Sequence, residues 1–142
     1  MNGLALNFIK LKEGCKLTSY KDQGGVWTIG YGSTGPDIVA NTTWTQQQAD
    51  ARLASDIMKA EQQARKLVHK ALSDTAFAPI ISFVYNMGAG ALEKSHLLQC
   101  INSGNYMEAA NEWIRWSHVG SEEDKGLLIR RLEEAAMFLR GV

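Results

Sequence analysis

Cysteine, proline and net charge are all scarce in this chain. Its 142 residues hold two cysteines and two prolines, and 15 Lys+Arg balance 15 Asp+Glu, for a formal net charge of zero. Cys15 and Cys100 are too few for a disulfide framework and lack metal-ligand spacing, so they read as reduced thiols of a protein made in the cytoplasm. Balanced charge removes the electrostatic case for nucleic acid as a partner. No apolar run approaches the length of a membrane span. The opening M-N-G-L-A-L-N-F-I-K has no basic stretch leading into an apolar one, so it is not a signal peptide, and stable membrane insertion is not expected. His69, His96 and His118 are scattered, without ligand spacing, which argues against a metal. No cofactor is implied.

What is present fits one ordinary globular domain. Apolar residues make up 45% and charged residues 21% of the chain, and this length buries a core without staples. Leu4, Phe8, Ile9 and Leu11 recur at helical spacing before Gly14, which predicts a helix over 3–13 with Glu13 in its last turn. Val26-Trp27-Thr28-Ile29 has the β-branched and aromatic content of a short strand. Thr45 with Gln48 is a capping-box signature for a long helix reaching about residue 71. Asp74 is the expected cap of a strongly apolar helix ending at Gly88, with Pro79 near its start. Ser95 opens a short helix stopped by Gly104, Asn105 with Glu108 suggests a second capping box for a helix to about Trp116, and a polar loop leads into a last helix over 126–140. The pattern is α+β, mostly helical with a small N-terminal β-hairpin sheet.

Glycine, by contrast, is concentrated. Gly14, Gly24, Gly25, Gly30 and Gly32 fall within nineteen residues, in the manner of a tight hairpin whose backbone needs positive φ or close approach. The same stretch carries Glu13 at a helix end and Asp22 before a glycine turn. Cleavage of a glycosidic bond needs one carboxyl to protonate the leaving oxygen and a second, ionised one to steer water or attack the sugar. At the negative end of the helix dipole, Glu13 is favoured in its protonated form. Asp22 taken by itself reads as a turn residue bonding its own backbone.

The spacing Glu13, Gly14, Leu17, Tyr20, Asp22, Gly25, Thr28, Ile29, Gly30, Tyr31, Gly32, Thr34 resembles the signature of the phage-type lysozymes, the muramidase endolysins. Similar runs follow at F-V-Y-N-M-G-A-G, from Phe83 to Gly90, and at G-L-L-I-R-R-L-E, from Gly126 to Glu133. The resemblance implies a lysozyme-like fold with two lobes around a cleft: residues 1–44 as helix and hairpin, 45–71 as a long linking helix, 72–142 as a helical C-terminal lobe. It implies hydrolysis of the β-1,4 bond between N-acetylmuramic acid and N-acetylglucosamine in peptidoglycan, by inversion, during host cell lysis. Glu13 matches the acid, Asp22 the ionised carboxylate, and Thr28 the hydroxyl that bonds the attacking water. Arg130 matches an arginine that orients the acid, with desolvation and bound substrate restoring its proton. Tyr31, Tyr85, Asn86 and Ser95 match cleft-lining positions.

Relatives further imply a monomer made in the host cytoplasm and released to the wall by a separate holin. Two departures stand out: Ser33 replaces a common histidine that makes a structural ion pair, and Ile129 replaces a polar residue before Arg130. They leave room for a wall-binding or virion-structural domain with little turnover. A lytic transglycosylase is a third reading, which the Asp22/Thr28 pair opposes.

Overall fold

A computed structural model describes all 142 residues. The chain runs α1 (Gly3–Glu13), β1 (Lys16–Lys21), β2 (Trp27–Gly30), α2 (Gln46–Leu67), α3 (Asp74–Met87), α4 (Ala89–Glu93), α5 (His96–Ser103), α6 (Tyr106–Ile114), β3 (His118–Val119), β4 (Glu122–Glu123) and α7 (Lys125–Gly141). This is the expected α+β arrangement, helix-rich with a two-stranded antiparallel hairpin near the start.

Helix α1 begins where the Asn2 side chain accepts from Leu4 and Ala5 and stops at Gly14, whose φ of +63° suits glycine. The hairpin pairs Lys16 with Gly30, Tyr20 with Thr28 and Lys21 with Trp27, with an irregularity between Lys16 and Tyr20. Such a bulge adds twist and turns the ribbon. Helix α2 opens on the complete Thr45/Gln48 capping box and packs β2 on one side and α3 with α4 on another. At 22 residues it runs for about 33 Å.

The core centres on α3. Every residue from Ala76 to Val84 is buried, as expected of a helix apolar all round. It packs most extensively on α7 and α2. Trp113 and Phe138 are fully buried, with ring centroids 5.2 Å apart, and Trp116 meets Phe83 edge-on at 5.3 Å. Each such ring contributes on the order of 1.5–3 kcal/mol by leaving water. Trp113 is thus a core residue, as its apolar neighbours suggest.

Several element ends differ from expectation. Helix α2 stops at Leu67 rather than near 71 because Asn102 donates to the Leu67 carbonyl at 3.0 Å and accepts from the His69 amide at 2.8 Å. Ser73, not Asp74, caps α3, and Pro79 therefore lies in the second turn. Asn105 makes no side-chain cap, so the second capping box is not formed. Asp124 caps α7 one residue earlier than predicted, and the loop before it contains the small β3–β4 ribbon.

Candidate active site

Glu13 ends α1 with its side chain one-fifth exposed, and Arg130 from α7 donates through Nη1 to its Oε1 at 2.6 Å. Arg130 is itself buried, and its Nη2 reaches the Ser82 hydroxyl at 3.2 Å and the Ser82 carbonyl at 3.5 Å. A forked guanidinium held at both ends fixes the plane of the carboxyl it touches. Gly32 completes this seat. Its φ is +88°, and a Cβ there would lie 3.3 Å from Glu13 Oε2.

Asp22 lies across the same cavity. Residues Glu13, Asp22, Asn86 and Arg130 all line one hollow of about 710 Å³, with Lys12, Gln23, Gly24, Asp124, Gly126 and Leu127 completing its wall. Asp22 Oδ1 accepts from the Gly24 amide at 2.8 Å and the Val26 amide at 2.9 Å. The bland role of a turn residue and a role at the cavity therefore coexist, one oxygen being tied to the turn. Burial, followed by the negative charges of Glu13 and Asp22, raises the Tyr20 phenol, so both acids act on one ring. Thr28 does not line the cavity. It is buried, and its hydroxyl donates to the Val26 carbonyl at 2.9 Å.

Of the four residues matched to the sugar cleft, Asn86 lines the hollow of Glu13 and Asp22, and Tyr85 lines a separate one. Tyr85 lines a second hollow of about 250 Å³ beside Gly32, Thr34, Asp56, Lys59 and Gln63. Its hydroxyl donates to the Tyr31 carbonyl at 2.6 Å. Burial, then the Glu13 and Asp56 carboxylates, pushes the phenol far up, so it stays a neutral donor. Asn86 lines the main hollow and accepts from Arg131 through Oδ1.

Tyr31 instead turns to α2, where its hydroxyl donates to Asp50 at 3.0 Å and accepts from Gln46 at 3.0 Å. A buried phenol needs partners, and α2 supplies both. Ser95 is likewise drawn into structure: it caps α5 through the Leu98 amide and donates to the Leu92 carbonyl. Neither side chain lines either hollow.

With this geometry in place, comparison is informative. Residues 10–134 match the family model for phage lysozyme. The chain belongs to the phage lysozyme family. A SAR-endolysin of Enterobacteria phage PA-2 is 37% identical over 129 residues, covering 91% of this chain and 78% of that protein. An endolysin of Bacillus phage B103 is 36% identical over 138 residues, covering 96% of this chain, which spans about half, 52%, of that protein's length. The fold agrees with that of the muramidase domain of SpmX from Asticaccaulis excentricus, at a TM-score of 0.87 and 29% identity over 95% of this chain and 94% of that one. Membership places the chain among the glycoside hydrolases.

The two departures from the family pattern can now be located. Ser33 donates to Asp56 Oδ2 at 2.7 Å, and Asp56 also pairs with Arg52 at 3.2 Å, so a hydrogen bond from an uncharged hydroxyl stands where relatives are expected to have an ion pair. Ile129 is half-exposed and lines neither hollow. Sequence reading missed Lys12, Asp124 and Leu127 as wall residues; the last two sit at the start of α7, a region that read only as a polar loop and a helix onset.

Proposed function

We propose that this chain hydrolyses the β-1,4 bond between N-acetylmuramic acid and N-acetylglucosamine in bacterial peptidoglycan by a single inverting displacement. One observation carries the reading: Glu13, braced by Arg130, and Asp22 line the same cavity in a member of the phage lysozyme family. Glu13 gives its proton to the glycosidic oxygen as the C1–O bond breaks. Ionised Asp22 offsets the positive charge growing on the sugar and accepts a proton from the water that bonds to C1. Thr28 acts from behind, its hydroxyl bonding the Val26 carbonyl and so holding the turn that carries Asp22. Tyr85 and Asn86 position the saccharide. The hairpin side and the helical side act as two lobes, joined by α2, with the glycan between them.

Two of the features that favour a wall-binding domain weigh less, since Ser33 keeps Asp56 bonded and Ile129 lies off the cavity. In its setting the protein is a monomer made in the host cytoplasm. It acts on the wall once a holin opens the membrane.

Clearing of purified peptidoglycan tests the reading. The parent chain lowers turbidity and releases fragments whose masses include one added water per cut. Glu13→Gln stays folded and loses at least about 100-fold in rate, the scale of one general acid. Full activity of Glu13→Gln removes it from the acid role, and anhydro-sugar masses make the chain a transglycosylase.

A further inference from the structure

Behind Glu13 lies a cluster of charge that the proposed reaction does not use. Glu134 of α7 is completely buried, between two arginines that are nearly or fully buried themselves. Its Oε1 is 3.0 Å from Arg131 Nη1, and its Oε2 is 3.6 Å from Arg130 Nε. Ser82 donates to Oε2, and Trp113 Nε1 donates to Oε1 at 3.3 Å. The Nε atoms of both arginines have no hydrogen-bond partner, so charge, more than directed hydrogen bonding, joins them to Glu134. Each arginine then reaches forward to a different cavity residue, Arg130 to Glu13 and Arg131 to Asn86.

We infer that Glu134 is a positioning residue that divides the charge of Arg130 between itself and Glu13, and so sets how firmly Glu13 holds its proton. This deepens the hydrolase reading and rests on it for its meaning in catalysis. Charge balance sets this division. Arginine stays protonated in proteins, so two guanidinium charges face two carboxylates, one sealed inside and one open to the cavity. Burial pushes Glu134 up, while Arg131 and Arg130 pull it back toward ionisation. Left without Glu134, both arginines would have Glu13 as their nearest remaining counterion, and a carboxyl so claimed is a poor proton donor.

Other groups facing Glu13 are Tyr20 from β1, Tyr85 from α3, Lys12 on its own helix, and Asp22 with Asp124 around the cavity wall. None of them is hydrogen-bonded or ion-paired to Glu134 or to Arg130, whose partners are Glu13, Ser82 and Glu134. Facing Glu134 from α3 and α6 are only the neutral donors Ser82 and Trp113.

The test follows the Glu13 carboxyl carbon by NMR through a pH titration of the full chain, with its signal assigned by loss in Glu13→Gln. Glu134→Gln is expected to lower the midpoint by at least about 0.5 pH unit, and Arg131→Met to raise it, since that change frees Glu134 for Arg130 alone. Glu134→Asp restores the parental midpoint. If Glu134→Gln does not fold, Arg131→Met decides by itself. A midpoint that stays put or moves the other way in the folded variants overturns the inference. The alkaline limb of turnover on peptidoglycan should shift with the midpoint. A parent chain without turnover defeats the hydrolase reading while leaving the titration result standing.

Discussion

Gly32 shows how a single backbone position shapes the acid's seat. With φ at +88° and Glu13 Oε2 at 3.3 Å from where a Cβ would sit, an alanine meets both backbone strain and a displaced carboxyl. Gly32→Ala should cost roughly 1–2 kcal/mol and reduce peptidoglycan clearing more than Km for the substrate changes. Thermal denaturation beside a turbidity assay checks this, and a parental melting temperature with parental rate would contradict it. At this scale the sequence was most readable where residues stood at fixed offsets: Glu13, Asp22 and Arg130 all reach one cavity. Ser95 was legible as the cap of α5, since its partners lie three residues away on either side. Tyr31 was not, because its hydroxyl finds Asp50 through tertiary packing, and Asp50 carries no mark of it in the sequence.

Among elements, the first half of the loop joining β2 to α2 is tied to α2 through one arginine. Arg52 of α2 reaches Asp37 at 2.9 Å, the Thr34 carbonyl at 2.8 Å and Asp56 at 3.2 Å. Its hydrogen bond keeps the Asp37 carboxyl below the usual range. A folded value below the unfolded one means that the stabilisation is full above the unfolded value, about pH 4, and is lost as pH falls through the folded value. Asp37→Asn should therefore lower the melting temperature at pH 7 and lower it less at about pH 2.5, as the parent carboxyl takes up its proton. An equal loss at both pH values would show that the ion pair is not the cause.

Helix boundaries were legible where local chemistry set them. The apolar spacing and Gly14 placed α1, and Thr45 with Gln48 opened α2. The end of α2 was hidden because Asn102, distant in sequence, supplies its cap. Helix α4 was hidden because Ala-Gly-Ala-Leu-Glu is too short to show a period.

For the whole molecule, composition stated the class and little else. Zero net charge and 45% apolar content fit many domains, and the long-range pairing of Glu13 with Arg130 is a property of the assembled fold, bringing α1 and α7 together across α3. In the proposed reaction, water reaches the sugar from the Asp22 side while Glu13 protonates from the other. Proton NMR of the first product released from a defined peptidoglycan oligosaccharide tests it most directly. A β-linked substrate should yield the α-anomer first, later equilibrating. A β-anomer at the earliest times would mean two displacements through a covalent sugar, and would contradict the roles assigned to Asp22 and its water.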